Sequence, residues 1–159
     1  MGTDKRSGQD RRAESLEQIA TLVATRTGTL ALYAELAGGR PFSEEKATAR
    51  VLQRFCQALI DYTASAHFQL YRHIDESQER RSVVLDVSEQ VYTRIMEITD
   101  YIVKFNDKYE NFAWKDQTEE LAEDLSALGE MLADRIQLED RVIQAVTSDR
   151  RDSPHSVTS

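Results

Sequence analysis

A chain of 159 residues holds one domain with a single sizeable core. Its 28 acidic against 20 basic residues leave a net charge of −8, which opposes general binding to phosphate backbones and suits a basic protein partner. With 6 Gly, 2 Pro and a lone Cys, the chain favours a few long helices over many short elements and excludes an internal disulfide, so a reducing, cytoplasmic setting is expected.

Residues 1–13 are polar and charged and read as a flexible N-terminal tail. They hold no apolar h-region, so they do not form a signal peptide. Arg6 stands where a myristoylation signal needs Ser or Thr. No apolar run approaches the roughly 18 residues that a membrane span requires. A domain is expected over residues 14–148, followed by a flexible C-terminal tail over 149–159.

Four amphipathic segments follow. The first spans about Glu14 to Ala37, with Leu16, Ile19, Leu22, Val23, Leu30, Tyr33 and Leu36 at three- and four-residue spacing. Gly28 and a run of threonines (Thr21, Thr25, Thr27, Thr29) lower its intrinsic propensity, so packing has to hold it. Gly38-Gly39 supplies a left-handed stop, Pro41 follows, and Ser43 caps the next helix. That second helix, about Ser43 to Ile74, carries Leu52, Cys56, Leu59, Thr63, Ala66, Leu70 and Ile74 in four-three alternation. Cys56 on this stripe reads as buried filler. The third, about Gln78 to Asn106, repeats the rhythm with Val84, Val87, Val91, Ile95, Ile98, Ile102 and Phe105. It is rich in β-branched residues, but its period is 3.5 and not 2. A connector with Tyr109, Phe112 and Trp114 leads to Asp116, which with Glu119 forms a reciprocal cap. The fourth helix, about Gln117 to Thr147, shows Leu121, Leu125, Leu128, Leu132, Ile136, Ile143 and Val146. Long helices joined by short loops pack as antiparallel neighbours. The expected fold is all-α, an antiparallel four-helix bundle, monomeric when free.

Function has to be sought where residues break the seam. At about 100° per residue, the core-facing positions of the second helix fill one arc, while Phe68 falls roughly 180° from Leu59. Asp61, Ala64 and Arg72 lie beside Phe68 on that outer side. An exposed aromatic next to a carboxylate and a small residue is a surface suited to being covered by a partner. The alternative is that Phe68 tucks under the N-terminal segment or is an incidental exposed residue. Two polar residues sit on or beside the seams, His67 and Glu139. They read as a buried or half-buried pair fixing the register of two helices, or as fragments of a metal site. No Glu-x-x-His pair is present, so neither metal nor cofactor is expected. No phosphate loop, dinucleotide turn, nucleophile elbow or Cys-x-x-Cys occurs, and no enzyme activity is expected.

The stretch Phe55-Cys56-Gln57-Ala58-Leu59-Ile60-Asp61-Tyr62-Thr63-Ala64-Ser65-Ala66-His67-Phe68-Gln69-Leu70-Tyr71 resembles the corresponding segment of the Rsd/AlgQ family of bacterial anti-sigma factors. The block Arg135-Ile136-Gln137-Leu138-Glu139-Asp140-Arg141-Val142-Ile143 is similar to a second family block, and Arg26, Leu30, Tyr33, Leu36 and Gly38 agree more loosely. The resemblance covers about residues 14–147. It implies a four-helix domain that binds the C-terminal region of the primary sigma factor, which reads the −35 element and touches the polymerase flap, and so regulates transcription. It implies Asp61, Ala64 and Phe68 at the interface, the residues that the helical wheel isolates. Two departures stand out, because the family's Ser is Ala64 here and its Gly before the His is Ala66. Some members also bind a sugar-phosphotransferase carrier protein or a stringent-response enzyme, and such second partners stay open. The alternative is a hemerythrin-like metal-binding or oxygen-sensing bundle, whose His/Glu motifs the same two blocks also resemble.

Overall fold

A computed structural model describes residues 2–43, 45–77, 82–110 and 118–155. Four helices account for almost all of them: α1 (Gly2–Gly38), α2 (Glu45–Ser77), α3 (Ser82–Glu110) and α4 (Thr118–His155). α1 packs chiefly on α2 and α3 on α4, with α2 against α3 and narrower seams from α4 to α1 and α2. Cross-helix pairs fix the directions. Arg26 meets Asp140 while Tyr33, farther along α1, meets Leu125, so α1 and α4 run antiparallel. Arg94 pairs with Asp134 and Lys108 with Asp124, so α3 and α4 do the same.

The core is a heptad seam on all four helices. On α4 the buried positions are Leu121, Leu125, Leu128, Leu132, Arg135, Glu139 and Val142, an unbroken four-three series. The sequence places Ile136 and Ile143 on that seam, but both are only half-buried and Arg135 and Val142 take the inner positions. On α1 the deepest residues are Leu22, Thr29 and Leu36, spaced by sevens, whereas Leu16 and Val23 are exposed. The threonines of α1 return their hydroxyls to the carbonyl one turn back: Thr21 to Glu17, Thr25 to Thr21, Thr27 to Val23 and Thr29 to Thr25. Thr29 also reaches the Ala58 carbonyl of α2 at 3.3 Å, so the weakest helix former is tied directly to its neighbour.

Several boundaries differ from the sequence reading. The helical backbone runs from Gly2 in α1 to His155 in α4. α3 extends to Glu110 and buries Tyr109, which was assigned to the connector. Phe112, Trp114 and Asp116 lie outside the described residues. Neither Gly38 nor Gly39 is left-handed, and the positive φ of 63° falls on Phe42 instead. The turn is closed by Gly39 N–H to the Leu36 carbonyl and Phe42 N–H to the Gly39 carbonyl. Burial of the Phe42 side chain holds that residue in a conformation unusual for a bulky group. Among the described residues, no helix is long and apolar enough to cross a membrane.

Candidate functional site

The outer side of α2 carries the residues singled out by the helical wheel. Leu52, Phe55, Leu59, Tyr62 and Ala66 anchor the inner side of α2 in the core. That anchoring turns Gln57, Asp61, Ala64 and Phe68 outward, all exposed. Phe68 is 71% exposed, so it is not tucked beneath α1, and its ring lies edge-on to His67 at 6.1 Å. Gln57 donates its side-chain amide to Asp61 Oδ1 at 3.2 Å, which steadies the carboxylate at the surface. Asp61 and Phe68 are seven residues apart, about 10 Å along the helix. The side chain of Arg72 lies outside the described residues.

The expected His67–Glu139 pair is not the arrangement found. His67 is exposed, and Glu139 is completely buried with other partners. Tyr62 Oη donates to Glu139 Oε1 at 2.5 Å, and Arg135 Nε donates to Glu139 Oε2 at 2.8 Å. Arg26 Nη1 stands 3.5 Å from Glu139 Oε1 and 2.9 Å from Asp140 Oδ1. Arg135 Nη1 donates to Thr99 Oγ1 at 2.8 Å, and its guanidinium lies over the Tyr62 ring at 5.6 Å. One polar cluster therefore takes a residue from each helix: Arg26 from α1, Tyr62 from α2, Thr99 from α3, and Arg135 with Glu139 from α4. Burial first, and the Glu139 charge second, push the Tyr62 phenol far above its ordinary range, so it stays a donor. Position 67 lies 80° around the helix from position 59, far enough to face solvent at the bundle's edge, whereas position 62 points inward. The i, i+4 spacing of Arg135 and Glu139 was the available signal for this cluster.

Two further contacts bind α4 to its neighbours. Tyr33 Oη donates to the Leu125 carbonyl at 2.7 Å and sits over Gly129, where a Cβ would stand 2.2 Å from the hydroxyl. On the α3 side of the same part of α4, Lys108 bridges Glu120 and Asp124, and Tyr109 donates to Asp124. Burial, and then Glu110, push the Cys56 thiol up to about 12, consistent with a filler role. Among the described residues, no group of three or more His, Cys, Asp or Glu side chains could hold a metal ion.

The geometry defines a class: a heptad-packed helical bundle with a buried polar cluster and an aromatic–carboxylate face turned outward on its second helix. The family model for the "Regulator of RNA polymerase sigma(70) subunit, Rsd/AlgQ" matches residues 1–147, and the chain belongs to that family. A Regulator of sigma D from Yersinia pseudotuberculosis is 32% identical over 134 residues, 82% of this chain and 79% of the relative. The protein of the same name from Sodalis glossinidius is 34% identical over 132 residues, 80% of this chain and 86% of the relative. No solved structure matches the chain.

Proposed function

We propose that this protein is an anti-sigma factor that captures the C-terminal, −35-reading region of the primary sigma factor through the outer face of α2. Phe68 is the apolar anchor, Asp61 accepts a hydrogen bond or ion pair from a basic sigma residue, and Ala64 leaves room for close approach between them. Arg72 would extend the same face. Capture of that region denies polymerase both the −35 contact and the flap contact, and so biases it toward alternative sigma factors. The observation that carries this reading is Phe68 standing 71% exposed in line with Asp61, in a member of this family.

The test is a pull-down of the primary sigma factor by the purified chain and by Phe68→Ala and Asp61→Ala. Loss of Phe68 is expected to weaken capture by about 2 kcal/mol or more, and loss of Asp61 to weaken it as well, with helical content unchanged in both. If both variants capture sigma as well as the parent does, the interface is elsewhere.

A further inference from the structure

The face that presents Asp61 and Phe68 continues toward the N-terminus of α2 with a different character. Lys46, Arg50 and Arg54 are exposed, four residues apart, and lie within roughly 40° of the line through Phe68. Most other described cations stand beside a carboxylate, Arg40 being an exception that binds Ser126. Arg26, Arg94, Lys104, Lys108 and Arg135 each form an ion pair with a carboxylate. Among the described residues, Lys46, Arg50 and Arg54 form none, in a chain whose net charge is −8. Three uncompensated cations on one strip of an acidic protein create a local positive field that the fold does not use.

We infer that Lys46, Arg50 and Arg54 form a cationic ladder that receives an acidic segment of the same partner that covers Phe68. This rests on the proposed function and adds a second half to its interface. The strip is then bipolar. Two helical turns of cations, about 12 Å long, meet partner carboxylates, and about 10 Å farther on Asp61 begins the part that meets a basic residue and an apolar pocket. A polypeptide fits this order and a nucleic acid does not. Phosphates would match the ladder but would be repelled by Asp61 and by the chain as a whole, and would leave Phe68 uncovered. A groove of 490 Å³ between α2 and α3 runs beside the ladder, lined by Leu52, Gln53, Cys56, Gln57, Asn106 and Tyr109. Asn106 Oδ1 at this groove is buried without a hydrogen-bond partner, and Glu110 stands at its α3 wall.

The experiment measures association and dissociation rates of the full chain with the C-terminal region of the primary sigma factor, over a salt series. The parent is compared with R50E/R54E and with F68A. The ladder steers encounter, so the charge-reversed pair should associate about tenfold more slowly and lose most of its salt dependence, while F68A should mainly speed dissociation. Circular dichroism melting checks that each variant is folded. Parent-like binding by R50E/R54E, with F68A still impaired, overturns the ladder and leaves the proposed function standing. A parent that does not bind sigma overturns the proposed function and the ladder with it. A parent that binds duplex DNA at the same salt, with R50E/R54E losing that binding, overturns the acidic-segment assignment.

Discussion

Replacing Glu139 by Gln changes one oxygen for an amide nitrogen and removes one charge from the centre of the bundle. Arg135 is 2% exposed, so its guanidinium would keep its charge without the carboxylate that compensates it. Tyr62 would retain a neutral acceptor in place of an ionised one, and Arg26 would keep Asp140. Breaking a buried pair from one side costs about 3–5 kcal/mol. A domain of this size loses about 2–4 °C of melting temperature per kcal/mol, so the drop should be on the order of 10 °C. Urea titration followed by circular dichroism gives the free energy, and a matched thermal scan gives the midpoint. The informative companion is Glu139→Gln combined with Arg135→Met, which removes the stranded cation and fills its volume with an apolar chain. The double variant should recover most of the loss, because a buried ion pair offsets little more than its own desolvation. If Glu139→Gln alone unfolds within about 1 kcal/mol of the parent, the cluster is wet and the cost assigned to it here is wrong.

Two further outcomes follow from other parts of the core. Gly129→Ala places a methyl 2.2 Å from Tyr33 Oη, which must swing away from the Leu125 carbonyl, so denaturant titration should show a loss of about 1–2 kcal/mol. In a Tyr33→Ala background the same change should instead stabilise by up to about 1 kcal/mol, because only the helix-propensity gain remains. For Cys56, the folded thiol is raised from 9.0 to about 12, so its contribution to stability is intact below pH 9 and is lost as the pH rises toward 12. Denaturation at pH 8 and at pH 10.5 should show a decline of about 2 kcal/mol attributable to this group, and Cys56→Ala should remove that part of the slope.

Fold and site were legible in the sequence to different depths. Four heptad-patterned segments joined by short loops favour a four-helix bundle, because each apolar stripe can leave water by packing on the other three. The outer face of α2 was legible for the same reason: once Leu59 and Ala66 point inward, helical geometry puts Phe68 outside. The α4 seam beyond Leu132 was misread because hydrophobicity selected Ile136 and Ile143. Glu139 is buried on the seam as its position suggested, but the structure buries Arg135 with it in place of Ile136, and their spacing lets each neutralise the other. His67 was paired with Glu139 on phase alone, and a wheel cannot tell that Tyr62, five residues earlier, reaches deeper. The end of α3 was missed because Tyr109 was read with the aromatic residues of the connector, and the Phe42 turn was missed because burial, not intrinsic preference, sets its backbone.

Tyr62 and Asp61 are adjacent in the chain, and this has a mechanical consequence. The phenol is pinned at the bundle's centre by a carboxylate that is itself held by arginines, so α2 is keyed like a shaft in its housing and cannot roll about its axis. Whatever side Asp61 and Phe68 present is therefore set before any visitor arrives, and little ordering entropy is left to lose on contact.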